Sequence, residues 1–184
     1  MRYPKECVLK DCREVVIRPL KADEAEALRN FYMAIPEQDR WYMRYNVKEP
    51  QVLEKWFSNI GLGLVESVVA CCDDKIVGHG SLHLRGFGCS QHVGRFRIIV
   101  APQFRQQRLG TWLLLDLVQL AMDKGLALLR TDLVVGPEDA AVEACQKFDF
   151  FKCATLPDYA RDPHGSLHDM VIMVKHLHRG YSDF

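Results

Sequence analysis

Between Phe96 and Thr111 the chain reads FRIIVAPQFRQQRLGT, and this stretch constrains the fold more than any other. An apolar, β-branched run stops at Ala101-Pro102. A short polar loop follows and opens the long helical pattern of Leu109–Lys124. The pattern predicts a strand–loop–helix corner. The first amides of a helix have no partner inside it, and the positive end of its dipole lies there. Such a corner suits a pyrophosphate. Arg105 and Arg108 add positive charge on the same turn, and Gly110 has no side chain to keep a ligand away. An ordinary corner with solvated arginines has the same spacing. The stretch is neither a GxxxxGK[ST] phosphate loop nor a GxGxxG dinucleotide fingerprint.

The elements on either side set the fold class. Glu14–Leu20 reads as a strand and Ala22–Met33 as a helix. Pro36–Arg44 and Gln51–Ile60 read as shorter helical pieces. Ser67–Cys72 and Ile76–Arg85 flank the turn Asp73-Asp74-Lys75 as a hairpin, and Gln91–Val100 is a third extended run. In Leu109–Lys124 the residues Leu109, Leu113, Leu117, Leu120 and Ala121 share one face, with Asp116, Gln119 and Asp123 opposite. Leu126–Val135 predicts a strand and Pro137–Phe148 a helix, with proline and two acids in its first turn. Phe150–Ala154 and Met170–His176 are the last strands, joined by a polar loop, Leu156–His168. The expectation is one α/β (α+β) domain over residues 1–184.

Composition excludes several classes. Lys+Arg and Asp+Glu number 24 each, which argues against broad nucleic-acid binding. MRYPKECVLKDC has no apolar run after its basic residue and is not a secretory signal. No apolar stretch approaches the ~18 residues of a membrane span. The seven cysteines show no zinc or redox spacing and read as reduced cytoplasmic thiols, with no metal expected.

The six positions Arg105, Gln106, Gln107, Arg108, Leu109 and Gly110 resemble the acyl-CoA loop [QR]-x-x-G-x-[GA] of the GCN5-related N-acetyltransferase (GNAT) superfamily. The first and last match, and Arg108 replaces the middle glycine. VVIRPLKADEAEAL is similar to the family's first strand and helix, and KIVGHGSLHL to its third strand. KGLALLRTDLVVGPEDAAVEACQKFDF is similar to its fifth strand, fourth helix and closing signature. LPDYARDPHGSLHDMVIMVKHL resembles its C-terminal strands. The resemblance implies a mixed, largely antiparallel sheet of six to seven strands flanked by helices, with strands four and five splayed. It implies acetyl-CoA as co-substrate. The arm of the cofactor would lie along Ile98, Ile99 and Val100, held by the backbone of Ile98 and Val100. The amides of Gln106, Gln107, Arg108, Leu109, Gly110 and Thr111 would hold its pyrophosphate. Arg108 would either reach a phosphate, if its backbone tolerates a side chain, or strain the loop, if the position needs positive φ. The first alternative is preferred.

The residues of proton transfer are less clear-cut. Arg95 stands where many members carry a carboxylate, and Cys145 where many carry a tyrosine. His79, Ser81 and His83 face one side of their strand, and His83, further from the turn, is the better catalytic candidate. Structural roles are open to each histidine. Cys145 could donate a proton as a thiol, and a buried helix residue is the preferred reading. The acceptor walls are expected in Glu37–Tyr45, with Trp41, Tyr42, Tyr45, Asp39, Arg40 and Arg44, and in a later loop with Asp158, Tyr159, Asp162 and His164. Aromatics with acids would suit a cationic amine, and Trp41 is expected to turn inward. A small-molecule amine or a protein lysine fits as acceptor, without nucleic acid or membrane, and a homodimer is compatible with the family. The competing function is a non-catalytic CoA-binding regulatory module. A nucleic-acid module using Arg95, Arg97, Arg105 and Arg108 ranks third.

Overall fold

The apolar runs on either side of Asp73-Asp74 close as a tight hairpin. The two aspartates take φ of 47° and 61°, as the central residues of a type I′ turn do. They join β3 (Val65–Cys72) to β4 (Lys75–His83) in the computed structural model, which describes residues 3–43 and 45–177. The other strands are β1 (Lys5–Val8), β2 (Glu14–Pro19), β5 (Val93–Val100), β6 (Leu128–Val134), β7 (Phe151–Arg161) and β8 (Leu167–His176). All eight form one sheet in the order β1-β2-β3-β4-β5-β6-β8-β7, antiparallel throughout except for β5 and β6. The helices are α1 (Ala25–Ala34), α2 (Glu37–Arg40), α3 (Pro50–Gly61), α4 (Leu109–Asp123) and α5 (Asp139–Lys147).

Side-chain alternation along β4 sorts the layers. Gly78 and Gly80 face α4. A Cβ on Gly78 would lie 3.1 Å from Leu113 Cδ1, and one on Gly80 3.2 Å from Leu117 Cδ1, so the missing side chains let the helix sit close to the sheet. Leu109, Leu113, Leu117, Leu120 and Ala121 are buried there, as their spacing predicts. The opposite face of β4 carries His79 and Ser81 and is covered by α1, through Leu28, Phe31 and Tyr32, and by α3, through Leu53 and Trp56.

Four expectations are corrected. The sheet has eight strands rather than six to seven. The extra β1 is four residues of mixed polarity, too short to show a period, and it is held by pairing with β2. The expected loop Leu156–His168 is mostly strand, because β7 continues to Arg161 and β8 begins at Leu167. Pro157 and Asp158 fall where the register shifts between Leu156 and Ala160, so a bulge takes up the proline and the left-handed Asp158, φ 52°. Asp116 does not lie on a solvated face of α4. It is buried, and its carboxylate accepts from Tyr3 Oη and Lys5 Nζ at the N-terminal edge. Of the helical piece Pro36–Arg44 only α2 is helix, and Arg44 lies outside the described residues.

The sheet opens at its centre. β5 and β6 pair only through Val93–Arg95 and Leu128–Arg130. Beyond that point β5 pairs with β4 alone and β6 with β8 alone. The edges of Phe96–Val100 and Thr131–Val134 therefore diverge toward the loop that starts α4.

Candidate active site

The loop is built by backbone conformations that side chains rarely favour. After the 3-10 turn Pro102–Phe104, Gln106 and Arg108 are left-handed at φ 59° and 69°, and α4 starts at Leu109. No side chain caps this helix, and Trp112 N donates to Arg108 O at 3.1 Å. The amides of Leu109, Gly110 and Thr111 thus have no acceptor within the helix, which is the arrangement an anion needs. A Cβ on Gly110 would meet only Val100 Cγ2, at 3.9 Å. Protein packing therefore does not require glycine there, and the space in front of the amides is left to a ligand. These residues fit the phosphates of a CoA.

Contacts from two sides stiffen the loop. Arg105 donates through Nε to Val100 O at 3.1 Å and pairs through Nη2 with Asp39 Oδ2 at 2.7 Å. From the β1–β2 turn, Arg13 lies 3.7 Å over the Phe104 ring and donates to Gln103 O at 2.6 Å, and Lys10 N donates to Gln107 O at 3.4 Å. Nothing in the sequence pattern links Lys10–Arg13 to a loop ninety residues away. The preferred alternative for Arg108 assumed a backbone that tolerates a side chain. The position instead has positive φ, which costs an L-residue of order 1 kcal/mol. The Arg108 side chain is exposed.

Arg97 spans the gap between β5 and β6. Its Nη1 donates to Asp132 O at 3.0 Å and to Glu138 Oε1 at 3.1 Å, and its Nη2 donates to Tyr42 O at 2.9 Å. One guanidinium thus ties together the free edge of β6, the start of α5 and the segment after α2. Glu138 Oε2 also accepts from Val134 N at 2.8 Å. Burial raises the Glu138 carboxyl above its ordinary range, against the pull of Arg97.

On the face away from α4 lies a cavity of about 380 Å³. Tyr42, Tyr45, Trp56 and Tyr159 form its aromatic walls, and Ile99, Thr131 and Val134 its floor along the gap. Trp41 belongs to these walls rather than to the core. It is 54% exposed, and its Nε1 donates to Arg161 O at 2.7 Å. The expected acids are elsewhere: Asp39 is paired with Arg105, and Asp162 closes the β7–β8 turn by accepting from His164 N and Ser166 N. The charged lining is instead Arg95, Arg97, Arg130 and Arg161 with Asp132, which pairs with Arg130 at 2.6 Å. The alternating polar residues of GRFRIIV and LLRTDLV carry the signal for this, since Arg95, Arg97, Arg130 and Asp132 all point to one face.

The histidines divide sharply. His79 is 1% exposed, 2.7 Å from Tyr32 Oη through Nδ1 and 3.3 Å from Ser67 Oγ through Nε2. Burial first, then the nearby His83, lowers its pKa to about 3, so it is a neutral structural group. His83 is half-buried on the cavity wall, with Nε2 3.2 Å from Ser81 Oγ and its ring edge-on to Trp56 at 5.1 Å. Cys145 is not on that wall. It sits in the core at 4% exposure, and burial pushes its thiol up to about 12, which ill suits a proton donor. It is the one buried residue of α5.

A strand-to-helix loop with uncapped amides beside a splayed mixed sheet defines a class of fold, and known proteins share it. The model of the acetyltransferase (GNAT) family matches residues 26–150, and the chain belongs to that family. No curated relative matches the sequence. Among solved structures, an N-acetyltransferase from Staphylococcus aureus Mu50 is similar in fold with a TM-score of 0.75 at 20% identity, over 89% of this chain and 99% of that one. The ribosomal-protein-alanine N-acetyltransferase from Brucella melitensis gives a TM-score of 0.74 at 22% identity, over 88% and 99%. YncA, a putative acetyltransferase from Salmonella typhimurium solved with its cofactor acetyl-CoA, gives 0.74 at 16% identity, over 91% and 96%. Among the described residues no helix is long and apolar enough to cross a membrane.

Proposed function

We propose that the chain moves an acetyl group from acetyl-CoA to a primary amine by direct attack in a ternary complex. The observation that carries this reading is the gap between β5 and β6, which runs from the uncapped start of α4 to the aromatic cavity. When bound, acetyl-CoA supplies an activated acyl carbonyl. Ile98, Ile99 and Val100 would line its arm, and the amides of Gln106–Thr111 would hold its phosphates. Arg105, tied to Val100 O, positions the loop against the strand.

The transfer forms an N–C bond and breaks a C–S bond. The amine gives up one proton and the sulfur takes one. His83, with Ser81 fixing its ring, is the cavity group suited to receive the amine's proton. Holding the amine in line with the gap contributes independently of any base.

A second reading, a CoA-binding module without turnover, is favoured by one observation: β5 presents Arg95 and Arg97 to the cavity instead of a carboxylate. Incubating the protein with acetyl-CoA and a panel of amines, while following free thiol and product mass, separates the two. Amine-dependent thiol release supports the transferase. Stabilisation by CoA without release supports the module. Absence of both eliminates both readings.

A further inference from the structure

We infer that the acceptor amine also carries a carboxylate, in a molecule of the amino-acid type with an apolar or aromatic body. This rests on the acetyltransferase reading and specifies its acceptor. Among the described residues, the guanidinium groups of Arg95, Arg97, Arg130 and Arg161 line the cavity against the one carboxylate of Asp132. Glu138 lies behind Arg97, and Asp39 and Asp162, which also act on Tyr42, are engaged by Arg105 and by the amides of the β7–β8 turn. Arg97 and Arg130 are held by Glu138 and Asp132, and both anchor the strand edges at the gap. Arg95, directly opposite His83 in the β4–β5 register, and Arg161, at the exposed end of β7, complete a positive rim around the aromatic walls.

A carboxylate gains charge-assisted hydrogen bonds in such a rim, and a ring or alkyl body packs on Tyr42, Trp56 and Tyr159. A polycation meets like charge. The same excess acts on the nucleophile, because an ammonium is disfavoured beside guanidinium groups and the neutral amine is the reactive form. With the one lining acid among the described residues, Asp132, paired to Arg130, the cavity selects an acceptor whose own anion supplies the attraction.

Three probes that share one body test this: L-phenylalanine, L-phenylalaninamide and phenethylamine. Each is given to the protein with saturating acetyl-CoA, and kcat/KM is read from thiol release. In parallel, each is titrated calorimetrically into the CoA-saturated protein. The acid should be preferred by roughly tenfold or more in both readouts, the size of one charge-assisted pair. The amide is the less basic amine, so basicity cannot produce that order. Arg95→Gln and Arg161→Gln should each lower the ratio of the value for the acid to that for phenethylamine. Equal or better use of the two probes without a carboxylate, or binding of none of the three, overturns the inference. Turnover of other amines in that event leaves the acetyltransferase reading standing. Absence of turnover with a preserved preference for the acid in calorimetry removes the transferase and keeps the anion site.

Discussion

Arg108 holds a left-handed backbone for which glycine is the natural residue, and it does so at the mouth of the phosphate loop. Two effects separate on replacing it. Arg108→Gly should raise stability by about 1 kcal/mol in urea unfolding, since the strain disappears. It should also weaken CoA binding several-fold, since an exposed cation on the loop is lost. Tighter binding in the variant would contradict the second part. His79 gives a pH prediction. Its pKa is lowered to about 3 in the fold from 6.5, so its contribution is complete above pH 6.5 and fades as pH falls toward 3. Below pH 6.5 the wild type should lose about 1.4 kcal/mol per unit from this group, and His79→Gln should lose less over the same window. His83→Ala should lower kcat/KM by about 10²-fold and change the pH–rate profile, and an unchanged profile removes His83 as the base. The face shared by His79, Ser81 and His83 was legible from alternation. Which histidine is buried was not, because that depends on Tyr32 and Trp56 arriving from distant helices.

At the scale of elements, the gap between β5 and β6 is held open on one side and tied on the other by Arg97. The pair with Glu138 is partly exposed, with side chains 25% and 21% accessible, so its contribution is less than that of a fully enclosed pair. Arg97→Met leaves Glu138 and two carbonyls without their donor and should cost about 2 kcal/mol. Adding Glu138→Gln, which removes the stranded charge, should recover part of that in a double-mutant cycle. Strand and helix positions here follow from period and from turn residues such as Asp73-Asp74. What the sequence hid are contacts between elements. The bulge that lets β7 run past Pro157, and the β1–β2 turn that braces Gln103–Gln107, depend on neighbours rather than on local pattern. Asp116 was misplaced for the same reason, since Tyr3 and Lys5 reach it from the other end of the chain.

For the whole molecule, the order of elements carried the fold class, and the imperfect loop motif gained its meaning from its place in that order. The cavity's charge was the part least legible, because Arg95, Arg97, Arg130 and Arg161 come together only when β5, β6 and β7 share one sheet. The central claim is that the phosphates of acetyl-CoA sit against the amides of the first turn of α4. Gly110 allows a direct test, because a Cβ there would meet only Val100 Cγ2, at an ordinary 3.9 Å, and would lie on the first turn of α4. Calorimetric titration of acetyl-CoA into wild type and Gly110→Ala, alongside thermal melting, is the decisive measurement. The account predicts an unchanged melting temperature and an affinity reduced more than about tenfold. Equal affinity in the two proteins, or no binding by either, would contradict it.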